Sequence, residues 1–287
     1  MNHVSKKMPQ LYQFNKDECK DVYVYIDFSN PICCWNFIRG VLDSSSNLSN
    51  YFGFHVCSFF LKSRLINQKY FLFEQQLEFI RSTEFKEKIS RLSGLYFFDS
   101  LQSAKSAENL IPSFSKENLV KCLLPNSVSY QKHDMNWITY YAENSDIAWM
   151  KKYWNGYMCD QSLHGIPIYE CLTDGYLIVN EPELREKLYR EYEKNNPNDL
   201  FFLQLGIWGS HYGYPLSEVF YFINKKSNCI EINPIISFDE DTAIRIFENV
   251  NKDDLNSALS IKKVAFTGKL HTPDFSKYIY KIPLAHP

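Results

Sequence analysis

Apolar residues in the first part of the chain fall into segments whose spacing predicts strands and helices. Val22–Phe28 is rich in β-branched and aromatic residues, which favours a strand, and Asn30-Pro31 ends it. Ile32–Val41 follows as a short predicted helix, and Phe52–Leu61 is a second apolar run that fits a strand or a buried segment. Helical spacing predicts a helix over Asn67–Ser82, although charged residues interrupt its apolar side.

Short elements continue up to residue 180, separated by residues that favour caps and turns. Asp99-Ser100 supplies an N-cap signal for the helix that follows it. Thr173-Asp174-Gly175 predicts a turn between two strands. The predicted strands are Leu95–Phe98, Leu119–Leu124, Pro167–Cys171 and Tyr176–Val179, and the predicted helices are Leu101–Glu108 and Ile147–Trp154.

The pattern changes beyond Asn180, where a strongly charged segment begins. We therefore expect two parts, a core over residues 1–180 and a C-terminal α+β extension over residues 181–287 that packs on the core. Strands and helices in mixed order predict an α+β fold. In the second part we predict helices Glu181–Lys194 and Asp239–Asn249 and strands Phe201–Ile207 and Val219–Ile223.

Charge and cysteine content narrow the function classes. The net charge is −2, so the chain as a whole has no basic footprint for nucleic acid, although a local basic patch stays possible. None of the eight cysteines forms a CxxC pair, which favours reduced thiols and argues against a zinc site. The first ten residues are polar and basic, and no run of 18 apolar residues occurs. We therefore expect a soluble cytoplasmic protein with no membrane partner.

Several common enzyme motifs are missing from the sequence. It contains neither a G-x-x-x-x-G-K-[ST] phosphate loop nor a G-x-G-x-x-G dinucleotide fingerprint. Ser210-His211 lies in a glycine cluster that is not G-x-S-x-G. His55 and Cys57 lack the downstream cysteine pair of a zinc deaminase. These absences argue against four enzyme classes and leave the search to weaker patterns.

A series of segments in a defined order resembles a known superfamily. Ser90–Ala104 has the pattern of a strand, an Asp-Ser cap and a helix with a small residue, and a strand follows at Glu117–Val120. Tyr153–Gly156 and Pro167–Leu172 come next. Over residues 74–175 this order resembles the ADP-ribosyltransferase superfamily, in particular compact bacterial effectors, toxins and antiphage toxin–antitoxin components. The resemblance implies a split, mainly antiparallel sheet core with flanking helices.

The resemblance implies a role for each of four residues. Glu170 would be the catalytic carboxylate that binds the ribose 2′-hydroxyl and faces the oxocarbenium-like charge when NAD⁺ loses nicotinamide. Tyr96 would hold the nicotinamide ring by stacking and would act with Glu170 in catalysis. Ser93 would hydrogen-bond the ribose or the amide, and Arg91 would pair with the pyrophosphate. NAD⁺ would be a substrate, and no metal would be needed.

Each role has a plainer alternative that the sequence leaves open. Glu170 alternates with its neighbours and fits the solvent face of a half-buried strand. Tyr96 fits an ordinary core position, Arg91 an exposed charge, and Ser93 a turn beside Gly94. The polar and aromatic segment His133–Trp137 fits either a surface that faces the acceptor or a capped loop.

The N-terminus departs from the superfamily pattern. Members usually carry Arg or His on the first core strand, where the side chain binds NAD⁺. The segment that resembles this strand has Tyr12 and Gln13, so a neutral amide stands at the expected position of the charge. Alternatively, the first core strand is Val22–Phe28 and Tyr25 takes part.

The resemblance implies a mono-ADP-ribosyltransferase that moves ADP-ribose from NAD⁺ to a macromolecule, either protein or RNA. Such a toxin would act in the bacterial cytosol, or in the host cytosol if it is a secreted effector. An antitoxin or chaperone partner would be expected by analogy. Two alternatives stay open: a catalytically inactive relative that serves as a binding or immunity protein, and an NAD⁺ glycohydrolase.

Overall fold

The computed structural model describes residues 15–46, 56–57, 68–111, 114–144, 146–226, 229–250, 259 and 261–283. Helices with described bounds are α1 (Pro31–Arg39), α2 (Gln68–Glu84), α3 (Leu101–Glu108), α4 (Asn136–Tyr141), α5 (Ala148–Trp154), α6 (Gln161–His164), α7 (Pro182–Asn195), α8 (Leu200–His211) and α9 (Glu240–Asn249). Strands are β1 (Cys19–Tyr25), β2 (Val41–Asp43), β3 (Val56–Cys57), β4 (Leu95–Phe97), β5 (Leu119–Pro125), β6 (Gln131–Asp134), β7 (Tyr169–Thr173), β8 (Tyr176–Val179), β9 (Val219–Lys225), β10 (Cys229–Ile236) and β11 (Tyr280–Pro283).

The described strands form three sheets. Sheet I has the order β1-β5-β8-β2, sheet II the order β4-β7-β6, and sheet III the order β11-β10-β9-β3. Every strand pairing in them is antiparallel. Mixed helices and antiparallel sheets confirm the expected α+β class.

Sheets I and II are separated at the connection between β7 and β8. These strands are joined by only Asp174 and Gly175, yet β7 belongs to sheet II and β8 to sheet I. A Cβ on Gly175 would lie 2.5 Å from Val128 Cγ1, so a larger residue there would have to displace the Val128 side chain. The two sheets are joined by an isolated antiparallel bridge, in which Tyr23 and Phe98 exchange backbone hydrogen bonds of 2.8 Å. The predicted strands around this turn are present, but they do not pair with each other.

Helix α1 begins and ends where its sequence signals indicate. Asn30 caps it by accepting a hydrogen bond from the Ile32 backbone N–H at 3.0 Å, and Pro31 occupies the first turn. Gly40 ends the helix with a φ of 99°. The buried Arg185 guanidinium lies against that glycine and donates to the carbonyl oxygens of Ile38 and Arg39.

The same helix connects the first part of the chain to the second. Trp35 Nε1 donates to the Ser217 carbonyl at 2.6 Å, and Arg39 Nε donates to the Leu216 carbonyl at 2.9 Å. Arg39 also pairs with buried Glu218 at 3.3 Å. Apolar residues of α1 therefore share one core with residues beyond 188, including Leu203, Trp208, Val219 and Tyr221.

Asn36 makes a further connection of this kind, and its loss should be measurable. Its Nδ2 donates to the Val219 carbonyl at 2.6 Å and its Oδ1 accepts from the Val219 N–H at 2.9 Å. Asn36→Ala leaves both backbone groups buried without partners, so we expect a loss of about 2 kcal/mol in unfolding free energy. Urea denaturation of the variant measures this loss, and a loss below about 0.5 kcal/mol would contradict the assigned role.

The structure corrects one predicted strand. Phe201–Ile207 lies within helix α8, whose residues are buried on nearly all sides from Leu200 to Ser210. A fully buried helix has no polar stripe, so a short apolar run could not be told from a strand. Helix α2 is present over nearly the predicted range, and two of its apolar residues, Leu72 and Phe79, are exposed. The other predicted helices are present, and β2, β6, α4, α6, β10 and β11 were not predicted.

Some predictions fall outside the described residues. Tyr12 and Gln13 lie there, as does most of Phe52–Leu61. The first described strand is β1, which begins and ends three residues before the predicted Val22–Phe28. Across the described ranges, no helix is both long enough and apolar enough to cross a membrane.

Candidate functional site

Three polar side chains share one face of sheet II. His133 on β6 is directly opposite Glu170 on β7, and Tyr96 on β4 is opposite Leu172, two residues further along β7. Because alternate residues of a strand point to the same side, His133, Glu170 and Tyr96 project from the same face. The other face carries Phe97 and Cys171, which are buried in the core that sheets I and II share.

Arg91 lies against this polar face and is 2% exposed. It belongs to the turn before β4, and the turn is tight because a Cβ on Gly94 would lie 2.8 Å from the Ser90 carbonyl oxygen. Arg91 Nε and Nη2 donate to the two carboxylate oxygens of Glu74 at 3.1 and 3.2 Å. Its Nη1 donates to Glu170 Oε1 and to the Tyr153 hydroxyl, the latter at 2.9 Å.

Glu170 is the outermost member of this buried network. Its Oε1 accepts from Arg91 Nη1 and from the Tyr153 hydroxyl at 2.7 Å. Among the described residues no side chain or backbone group bonds to Oε2. The Glu170 side chain is 10% exposed, compared with 2% for Arg91 and 3% for Glu74. Burial excludes the alternative in which Glu170 is on the solvent face of its strand.

Tyr96 closes the turn that carries Arg91. Its hydroxyl donates to the Arg91 carbonyl at 3.0 Å, and its ring centroid lies 5.1 Å from the guanidinium carbon. That distance is within the range of a cation–π contact. The half-buried ring of Tyr96 therefore faces the same guanidinium that holds Glu170.

Burial sets the protonation of the network. It raises the pKa of Tyr153 well above the ordinary value, although Arg91 opposes the shift, so Tyr153 stays a hydroxyl donor. Burial alone would lower the pKa of Arg91, but Glu170 and Glu74 together raise it above the ordinary value. Formally, Arg91 contributes one positive charge and Glu74 and Glu170 contribute two negative charges.

His133 lies beneath Tyr153 as a neutral imidazole. Its ring stacks on the Tyr153 ring with centroids 4.6 Å apart. Nδ1 is 3.0 Å from the Tyr153 carbonyl oxygen, which can only accept, so Nδ1 carries the proton. Burial lowers the pKa of His133 to about 4, with a further contribution from Arg91.

The lowered pKa of His133 predicts an acid-dependent loss of stability. Below pH 6.5 the unfolded chain takes up a proton at His133, whereas the folded chain does so only near pH 4. The contribution is therefore complete above pH 6.5 and is lost as the pH falls to about 4, at about 1.4 kcal/mol per pH unit. His133→Phe should remove that part of the slope in urea titrations, whereas the exposed-residue variant His211→Gln should keep it. An unchanged slope in His133→Phe would assign the effect to another group.

Asp134 organises the loops that flank this face. It is fully buried, and its Oδ1 accepts from the backbone N–H groups of Asn136 at 3.1 Å and Ile168 at 3.2 Å. Its Oδ2 accepts from the Cys159 N–H at 2.9 Å. Asp134 thus joins the end of β6 to three places: the start of α4, Cys159, and the residue before β7. These contacts favour the capped-loop interpretation of His133–Trp137.

Comparison with known proteins gives a family. The family model described as "Protein of unknown function (DUF2441)" matches residues 6–182, which is more than half of the chain. The chain belongs to the DUF2441 family. No curated protein matches it.

The DUF2441 region contains the entire network. Glu74, Arg91, Tyr153 and Glu170 all lie within residues 6–182, as do Tyr12 and Gln13. The matched region ends at the first residue of α7. Residues after 182 contact this region through α1. They contribute none of the described bonds of the network.

The structure brings together three of the residues that the sequence singled out in the DUF2441 region: Arg91, Tyr96 and Glu170. Ser93 is in the same turn, but its hydroxyl accepts from Ser46 Oγ at 2.6 Å and has no described bond to the other three. Tyr25, the alternative first-strand residue, donates to the Ala104 carbonyl at 2.9 Å and stacks on Phe114.

The sequence assigned no site role to Glu74 or Tyr153, and it left His133 between an acceptor-facing surface and a capped loop. Glu74 had a signal in the sequence, because a charged residue interrupts the apolar side of the predicted helix at this position. The structure shows that it is buried there, at 2% exposure. Tyr153 and His133 had no such signal in the charge pattern. Within the part of the DUF2441 chain that the structure describes, no three His, Cys, Asp or Glu side chains are grouped to hold a metal ion.

Proposed function

We propose that this DUF2441 protein is a mono-ADP-ribosyltransferase that uses NAD⁺ as substrate and a protein or RNA as acceptor. The observation that supports it most is the state of Glu170, whose Oε1 is held by two donors while Oε2 has no partner among the described residues. A carboxylate fixed in this way can accept a ribose hydroxyl and face a developing cation without reorganising.

The chemistry requires one bond to break and one to form at the same carbon. The bond between ribose C1′ and the nicotinamide nitrogen breaks, and its electron pair leaves with neutral nicotinamide. Positive charge then develops on C1′ and the ring oxygen, opposite the Glu170 carboxylate. An acceptor nucleophile bonds to C1′ and releases its proton to water.

The residues present suit the nicotinamide end of NAD⁺ better than its pyrophosphate. The network has an excess of one formal negative charge, which favours a cationic ring, and Tyr96 offers an aromatic face on the same side of sheet II. Arg91 was expected to bind the pyrophosphate, but its guanidinium is buried and paired with two carboxylates. The pairing of Arg91 therefore does not support its role as the pyrophosphate partner.

One observation favours a second candidate function. Arg91 already neutralises Glu170, which weakens the carboxylate as a partner for a cation. This favours a catalytically inactive relative that serves as a binding or immunity protein.

The first proposal, a toxin or effector, also includes a restraining antitoxin or chaperone and action in the cytosol.

NAD⁺ labelled on the adenylate phosphate distinguishes the candidates. The purified protein is incubated with this substrate and a nuclease-treated or protease-treated lysate. Label on protein or on RNA supports transfer to that acceptor, and release of free ADP-ribose with no labelled macromolecule indicates a glycohydrolase instead. Intact NAD⁺ in every reaction would overturn the transferase proposal and favour the binding or immunity protein.

A further inference from the structure

The network beneath Glu170 has the geometry of a support for that carboxylate. Four separate segments supply it: Glu74 from α2, Arg91 from the turn before β4, Tyr153 from α5 and Glu170 from β7. The bonded pairs are 17 to 79 positions apart in sequence, and each of the four, taken as a whole residue, is at most 7% exposed. Charged groups are rarely buried to this extent without a specific arrangement of partners.

Glu74 fixes the plane of the Arg91 guanidinium. Two N–H groups of Arg91 meet the two oxygens of Glu74, and such a two-point contact sets orientation as well as distance. The remaining side of the guanidinium, at Nη1, is then directed to Glu170 Oε1. Glu74 therefore supplies the opposite charge that keeps Arg91 from being shared with a ligand.

Tyr153 completes the support by connecting Arg91 to Glu170. Its hydroxyl accepts from Arg91 Nη1 at 2.9 Å and donates to Glu170 Oε1 at 2.7 Å. Its ring is held from below by the His133 imidazole and is 0% exposed. The hydroxyl thus has a fixed position, and both donors act on the same oxygen of Glu170.

We propose that Glu74, Arg91 and Tyr153 are positioning residues. Arg91 and Tyr153 occupy Glu170 Oε1, Glu74 orients Arg91, and Oε2 is left as the oxygen that binds a ligand hydroxyl. This inference rests on the proposed function, since it assigns how Glu170 is prepared for that reaction. Arg91 is a fixed internal counter-ion in it, and none of the three positioning residues touches the substrate.

Tyr153→Phe tests the proposal in steady-state kinetics. The variant keeps the ring and its stacking on His133 but removes the hydroxyl. We expect kcat for ADP-ribose transfer to fall about 10- to 100-fold, as when the partner that orients a functional group is lost, while KM for NAD⁺ changes less than about threefold. Tyr189→Phe is the matched control, because Tyr189 is also 0% exposed and hydrogen-bonded, to Gln204 at 2.8 Å. It should retain wild-type kinetics.

A second measurement does not depend on activity. In protein labelled at the tyrosine ring carbons, a buried, hydrogen-bonded hydroxyl gives a slowly exchanging proton signal. The Tyr153 signal should be lost in Tyr153→Phe and should shift in Glu170→Gln, but not in Tyr189→Phe. A signal that does not respond to Glu170→Gln would overturn the positioning role. Unchanged kcat in a folded Tyr153→Phe would do the same.

The two measurements separate the proposals. If the wild-type protein leaves NAD⁺ intact, the transferase function fails, and the hydroxyl signal still decides whether Tyr153 holds Glu170. If the wild-type protein transfers ADP-ribose and Tyr153→Phe does so equally well, the function stands and the positioning role is rejected.

Discussion

Glu170→Gln should lower ADP-ribose transfer by about 100- to 1000-fold, the range observed when one group that stabilises transition-state charge is removed. Glutamine keeps the shape of the side chain and can still accept a hydrogen bond from Tyr153. It cannot offer a negative charge to the cationic ribose. The effect should therefore fall on kcat, measured by counting labelled acceptor under saturating NAD⁺.

Stability must be measured alongside, because Glu170 is buried in an ion pair. In the variant Arg91 keeps Glu74 as its counter-ion, so we expect a loss of only about 1 to 2 kcal/mol in unfolding free energy. Glu186→Gln on the surface of α7 is the matched control and should change neither property. Transfer at more than a tenth of the wild-type rate in Glu170→Gln would remove Glu170 from the mechanism.

Arg91→Met should destabilise the fold by about 3 to 5 kcal/mol, the usual loss when one partner of a buried ion pair is removed. Methionine fills a similar volume, so the loss comes from charge. Two carboxylates, Glu74 and Glu170, would remain next to each other with no positive partner, and Tyr153 would lose a donor. Urea denaturation near pH 7 measures the difference.

Two further variants identify the cause of that loss. The triple variant Glu74→Gln, Arg91→Met and Glu170→Gln removes all three charges and should recover at least half of the lost stability. Arg190→Met, at an exposed pair on α7, should cost less than about 1 kcal/mol. If the triple variant is no more stable than Arg91→Met alone, packing rather than charge is the cause.

Local signals predicted the elements whose ends depend on neighbouring residues. Helix α3 runs from Leu101 to Glu108 as predicted, because Ser100 accepts from the Ser103 N–H at 3.1 Å. Helix α9 likewise begins after Asp239, which accepts from Thr242. Such caps involve residues three positions apart, so the sequence displays them directly.

Contacts between distant residues could not be predicted in the same way. The sequence shows two strands around Thr173–Gly175, but nothing in it indicates that they join different sheets. The sequence singled out Arg91, Tyr96 and Glu170, but it predicted a ligand as the partner of Arg91. The actual partner, the buried carboxylate of Glu74, lies 17 residues away on a helix, and no local pattern connects the two. Tyr153 joins them only through the packing of α5 on sheet II, which a pattern along the chain does not encode.

The bonds of α1 to the second part of the chain have a consequence for synthesis on the ribosome. Asn36 and its partner Val219 are 183 positions apart. At about 5 to 20 residues per second, α1 would wait about 10 to 40 s after translation before that partner exists. During this interval the apolar side of Trp35 and Ile38 is uncovered, so nascent chains should recruit holding chaperones and should aggregate when translation stalls before residue 219.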